Sequence, residues 1–204
     1  MGGVLIWGSI FLTLFFSRFL AYIGVVDHSL LQRGEVYVPL FFLLTLGILG
    51  GFDDYLNIKG IGKKAGLNAL PKLLSLLLIA GLGALWFYFK LDYNSVYLPF
   101  YGNLEIGIWA IPFFMLVIIG TANAVNFTYG LDGLAGGLLV IAFGAFGALA
   151  YAEGLYILCA FCAVCVGAIA AFLWHNVPPA IFFMGDTGSL ALGGTLGVIA
   201  LMIH

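Results

Sequence analysis

Charge is what this chain has least of. Of its 204 residues 8% are charged and 64% are hydrophobic, and the mean hydropathy is +1.18. Soluble domains carry about 25% charged residues, so a water-soluble fold is excluded and a bilayer is the natural solvent. Seven lysines and arginines against nine acids leave a net charge of -2, which provides no basic face to neutralise the phosphates of a nucleic acid. Cysteine is nearly as scarce. Cys159, Cys162 and Cys165 form a CxxCxxC string inside one apolar run, without a fourth ligand. At helical pitch each step of three turns them by about 300°, which argues against an iron–sulfur site and leaves small core residues. Three scattered histidines offer no zinc site, and no P-loop or dinucleotide fingerprint occurs. A basic leader and cleavage site are also missing, so residues 4 to 23 read as a retained span. The abrupt opening Met1-Gly2-Gly3 reads as the interior of a longer protein.

What is present is a series of apolar runs. Allowing about 20 residues per crossing, the expected helices are 4 to 23, 37 to 52, 70 to 90, 106 to 124, 133 to 152, 155 to 174 and 187 to 203. The fourth contains Pro112, which a membrane helix tolerates where neighbours satisfy the freed carbonyl. Alternating crossings put the N-terminus and the connections 52 to 70, 125 to 132 and 175 to 186 on one side. Segments 24 to 36, 91 to 105 and the turn at 153 to 154 fall on the other. Lys59, Lys63, Lys64 and Lys72 belong to the first side, against Arg18, Arg33 and Lys90 on the second, so the positive-inside rule makes the first side cytoplasmic. On the second side Asp27, Glu35, Asp92, Glu105 and Glu153 are scattered and read as solvated surface. Tyr22, Tyr37, Trp86, Tyr88 and Trp109 read as an interfacial belt. The 29 glycines are spread through the spans; Gly193, Gly194 and Gly197, like Gly133, Gly136 and Gly137, read as close helix contacts.

The chemistry lies on the first side. The second apolar run stops at Gly51-Phe52-Asp53-Asp54-Tyr55, two adjacent carboxylates that need a cation, lysine or water beside hydrocarbon. Asp132 lies in NAVNFTYGLDGLAGG (123 to 137) and Asp186 in FFMGDTGS (182 to 189), so three loops of one face carry four of the nine acids. Hard oxygen ligands in small number, completed by water and substrate phosphate, suit magnesium. Asp186 directly precedes a helix whose first turn is expected near Thr187 to Ser189, with free N–H groups facing an anion; as a bare N-cap it would do the same work for the helix alone. Asn123 and Asn126 close the fourth helix, and Asp132 stands where a cap for the fifth would be. Convergence of the three loops is what favours a phosphate-handling site.

GFDDYLNIKGIGKKAGL, NAVNFTYGLDGLAGG and NVPPAIFFMGDTGSLALGG, in that order, resemble the polyprenyl-phosphate N-acetylhexosamine-1-phosphate transferases, a glycosyltransferase family 4 type, and within them the muramoyl-pentapeptide branch. The resemblance extends over essentially the whole chain, and Met1-Gly2-Gly3 is similar to the end of a further motif, TPTMGG. It implies an all-α, ten-helix membrane fold of which about seven helices are present, as one transmembrane domain spanning 1–204 and truncated at both ends. The family's first helix, its C-terminal helices and its His-rich cytoplasmic loop have no counterpart here, so the isolated chain is expected to be inactive.

The implied reaction moves phospho-N-acetylmuramoyl-pentapeptide from its UDP donor to undecaprenyl phosphate, giving lipid I and UMP in peptidoglycan synthesis at the cytoplasmic face of a bacterial inner membrane. Magnesium is the implied cofactor and Asp186 its ligand. Asp53 is implied as base or proton acceptor at the lipid phosphate, with Asp54 in support. Asn123, Asn126, Asp132 and Asn176 would line the nucleotide and phosphate region, Lys72 would meet phosphate, and Phe183 would pack on uracil. Tyr129 and Asn57 depart from the family's usual Asp and Lys or Arg, and both bear on donor affinity. Three alternatives stay open. One is a UDP-N-acetylglucosamine transferase serving another surface polymer. Another is a cation-coupled transporter, which would want acids at mid-span and related halves. The last is an inactive scaffold. The sequence leaves open whether the chain forms a homodimer.

Overall fold

A computed structural model of the chain describes residues 2–26, 29–31, 34–60, 66–91, 93, 95–98 and 102–203. Asp27, Arg33, Lys63, Lys64 and Asp92, which entered the charge reading above, lie outside the described residues. Seven long helices account for most of the rest: α1 (Gly2–Tyr22), α2 (Tyr37–Lys59), α3 (Ala69–Lys90), α4 (Ala110–Thr128), α5 (Leu134–Ala152), α6 (Tyr156–Asn176) and α7 (Gly185–Met202). Each is long and apolar enough to cross a membrane. The chain is a polytopic, all-α membrane protein; among the described residues the strands are those of a short hairpin between α3 and α4. There β1 (Ser95–Leu98) pairs antiparallel with β2 (Gly102–Glu105).

Crossings alternate as expected, because the ends assigned to one side meet in space. The first residues of α1 hydrogen-bond to the loop before α7, Gly2 N to Phe183 O at 2.7 Å and Gly3 N to Met184 O at 2.8 Å. The end of α6 bonds to the start of α5 through Asn176 Oδ1 and Gly133 N at 3.0 Å. Helix α7 is the hub, contacting α1, α2, α4 and α5, and it is buried almost along its length. Small residues make that hub fit. Gly193 and Gly197 face Thr121 and its neighbours on α4, and Gly194 faces Leu46 on α2, so the last helix uses its glycines on two partners. Gly133 and Gly136 meet α6 through Leu173 and Asn176, whereas Gly137 faces open space and is no contact glycine.

Four boundaries differ from expectation, each with a local reason. Helix α2 runs seven residues beyond Phe52 and ends only at Gly60, whose left-handed φ of +64° lets its N–H return to Asn57 O. The two aspartates therefore sit within a helix, near its end, rather than after it. Helix α4 starts at Ala110, so Pro112 falls in the first turn, where its missing N–H costs no helical bond and no neighbour is needed. It also runs on to Thr128, which makes Asn126 helical. Helix α7 starts at Gly185, so Asp186 belongs to its first turn and is not its cap.

At the opposite end from the aspartates, Tyr22, Tyr37, Trp86 and Trp109 are exposed, as an interfacial belt requires, while Tyr88 is partly buried against the core. The cysteines are free; Cys162 and Cys165 are fully buried in the helical core.

Candidate active site

Helix α2 presents Asp53 and Asp54 to different neighbours because successive helical residues turn by about 100°. Asp53 is 9% exposed. Its Oδ1 accepts the Leu67 N–H at 2.6 Å, and its Oδ2 accepts Lys72 Nζ at 2.9 Å. Lys72 in turn also donates to Asp186 Oδ2, so one ammonium bridges carboxylates carried by α2 and α7. The remaining oxygen of Asp186, Oδ1, accepts Asn126 Nδ2 at 2.6 Å, and the same amide reaches Ser189 Oγ at 2.9 Å. Four helices thus supply one polar knot: Asp53 from α2, Lys72 from α3, Asn126 from α4, and Asp186 with Ser189 from α7. Lys72 lies in the first turn of α3, where the helix dipole disfavours a cation, so the carboxylates hold it there and not its own helix.

Asp54 does something different. Its Oδ1 accepts the Asp186 N–H at 3.1 Å, and its Oδ2 accepts the Thr187 N–H at 3.1 Å and the Thr187 hydroxyl at 2.6 Å. Of the N–H groups near Thr187 to Ser189 expected to be free for a phosphate, that of Thr187 is occupied by this carboxylate from α2, as is that of Asp186. An anion at a helix N-terminus is favourable for both parties, and here it fixes the height of Asp186 against Asp53. Gly185 makes the approach possible: its φ is +71°, and a Cβ there would fall inside the van der Waals shell of Asp54 Oδ2.

The other expected site residues lie at the same end but outside the knot. Asp132 is exposed, and its Oδ2 accepts the Ala180 N–H at 3.3 Å. Asn176 is buried, with Oδ1 on Gly133 N and Nδ2 on Phe182 O at 3.1 Å, so both ends of its amide clamp loops together. Asn123 donates to Ile119 O of its own helix at 3.0 Å. Phe183 is exposed, and its ring stands edge-on to Tyr129 at 6.4 Å between centroids. The Tyr129 hydroxyl is buried, against the backbone of Gly185 and Met184. Burial holds its pKa above the ordinary tyrosine value; the charges of Asp54 and Asp132 push the same way, and the backbone of Gly185 and Met184 opposes them.

Sequence reasoning named Thr187 and Ser189 for their backbone N–H groups but missed their hydroxyls, and it missed the Leu67 amide. Ser189 was open to discovery, since it lies three residues after Asp186 and so on the same helical face. The Leu67 contact depends on how the chain returns from α2 to α3, for which no local pattern exists.

Among the described residues no group of three or more His, Cys, Asp or Glu side chains is placed to hold a metal. Magnesium does not require one, being bound by one or two carboxylates with water and phosphate making up the octahedron. Asp53 Oδ2 and Asp186 Oδ2 already converge on one cation, the Lys72 ammonium. The donor set therefore fits a single hard divalent ion.

Seven membrane-length helices that bring acids, an amide and a lysine together at one end define a polytopic membrane protein with a polar centre at the bilayer boundary. The chain belongs to glycosyl transferase family 4, whose sequence profile matches residues 36–204. It is 40% identical over 210 residues to the phospho-N-acetylmuramoyl-pentapeptide-transferase of Chloroflexus aurantiacus, covering 98% of this chain and 54% of that protein. The enzyme of the same name from Pelagibacter ubique is 36% identical over 223 residues, covering 99% and 58%. That of Lactiplantibacillus plantarum is 35% identical over 204 residues, covering 100% and 61%. The chain spans about half the length of the curated relatives it matches.

Proposed function

We propose that the protein containing this chain transfers phospho-N-acetylmuramoyl-pentapeptide from a UDP donor to undecaprenyl phosphate, releasing UMP, at the cytoplasmic face of a bacterial inner membrane. The observation that carries this reading is the Asp53–Lys72–Asp186–Asn126 knot, assembled from four helices at the end where the GFDDY, NFTYGLDG and MGDTGS segments meet. The relatives' shared name supports the choice of sugar over N-acetylglucosamine. The position of the acids supports an enzyme over a transporter, since they gather at one end of the bundle and not at mid-span. One contiguous core links all seven helices, which supports treating the chain as a single membrane domain.

An oxygen of the acceptor phosphate attacks the sugar-linked phosphorus of the donor; that P–O bond forms as the bond to the UMP oxygen breaks. Magnesium, held by Asp186 with Asp53, would neutralise charge on the donor pyrophosphate. A phosphate monoester, with its second pKa of about 6, is already mostly dianionic near neutrality. Little proton removal is then required of Asp53, and both its oxygens are engaged, by Leu67 and Lys72. We assign Asp53 to holding positive charge in place, Asp54 to positioning α7, and Asn126 to orienting Asp186. Phe183 with Tyr129 forms an aromatic edge suited to the uracil. Catalysis on this arrangement is positioning and electrostatics.

The test is exchange of labelled UMP into the donor in membranes carrying the full-length protein. Exchange with the muramoyl-pentapeptide donor, lowered at least 100-fold in Asp186→Asn, is the expected result, on the scale of losing one electrostatic group at a reacting centre. Exchange with UDP-N-acetylglucosamine alone would move the assignment to the other branch, and no exchange with either donor would end it.

A further inference from the structure

We infer that Lys72 is the resident occupant of the cation position, and that a divalent metal binds there only by displacing it. The inference rests on the magnesium reading above and concerns how that site is held when no metal is bound. Of the four carboxylate oxygens of Asp53 and Asp186, two are held by neutral donors, Oδ1 of Asp53 by the Leu67 N–H and Oδ1 of Asp186 by Asn126. The two that converge, Oδ2 of each, are both on Lys72 Nζ. A metal using both acids must take the oxygens the ammonium now holds, and two cations sharing those atoms repel at short range.

The charges explain why the arrangement needs an occupant and why that occupant is replaceable. Two carboxylates on neighbouring helices repel when bare, and Lys72 supplies one positive charge against two negative ones. A divalent ion supplies two. The lysine also stands in the first turn of α3, at the end of the helix dipole that disfavours it. Its side chain is 21% exposed, so it has a route away from the pair. Displacement takes the two carboxylates and their cation from a net charge of -1 to 0 and frees the ammonium for an incoming phosphate.

Manganese serves as the probe, with binding to the detergent-solubilised protein followed by electron paramagnetic resonance. Lys72→Met should bind Mn2+ at least tenfold more tightly than wild type, Lys72→Arg no more tightly, and Asp186→Asn should lose the site. In wild type, acylation of Lys72 by an amine-reactive reagent, mapped by mass spectrometry, should rise severalfold on adding Mn2+ while Lys90 stays constant. That second measurement needs no variant and so does not depend on Lys72→Met folding. Equal or weaker Mn2+ binding by a folded Lys72→Met, or Lys72 acylation that does not rise with Mn2+, overturns the inference alone. If neither wild type nor Lys72→Met binds Mn2+ above the Asp186→Asn background, the magnesium reading falls with it.

Discussion

At the scale of single residues, Asp53 and Asp54 are adjacent in sequence and separate in task, one facing a lysine and the other a helix end. Nothing in the dipeptide distinguishes them; the difference is the 100° between successive helical side chains and what stands in each direction. Tyr129 carries the clearest residue-scale prediction. Its hydroxyl is buried against the Gly185 and Met184 backbone, so Tyr129→Phe should change stability at neutral pH by less than about 1 kcal/mol and act mainly at alkaline pH. Because the folded pKa lies above the unfolded one, the tyrosine's contribution is whole below about pH 10 and is lost as pH rises through the folded value. Thermal unfolding followed against pH should show part of the alkaline loss disappearing in Tyr129→Phe. An identical alkaline limb in both proteins would contradict this.

At the scale of elements, the site depends on how closely α2 and α7 approach. A Cβ on Gly50 would collide with the backbone of Asp186 and Thr187, so Gly50→Ala must push the two helices apart at the level of the carboxylates. It should cost about 1–3 kcal/mol of stability and weaken metal binding, because Asp186 moves away from Asp53. Gly137→Ala is the control: nothing lies within 4 Å of the added methyl, and the gain in helix propensity should make it neutral or stabilising by about 0.5–1 kcal/mol. Thermal denaturation in detergent with Mn2+ titration reads both effects. Equal behaviour of the two variants would show that the α2–α7 approach does not position the acids.

At the scale of the whole molecule, alternation of seven spans places Lys59 and Lys72 on one side of the membrane and the hairpin on the other. With the native cysteines replaced, Lys59→Cys should react with an impermeant maleimide only from the cytoplasmic side and Leu104→Cys only from the opposite side. Labelling of both from the same side would break the crossing scheme and the proposed location of the chemistry.

Composition and spacing alone were enough for the solvent, the number of spans, their alternation and the face on which the acids lie. Those properties follow from local hydropathy, which each segment carries regardless of its neighbours. Helix ends near polar residues were less legible. The run past Asp53 to Lys59 and the start of α7 at Gly185 look like loop by hydropathy; the first is largely exposed beyond Asp54 and closes on the Gly60 cap, and the second is held by the Asp54 carboxylate. Which oxygen meets which donor was not readable at all. Lys72 is 114 positions from Asp186 and Asp54 is 132 from it, and only the packing of α7 among its neighbours turns those separations into hydrogen bonds.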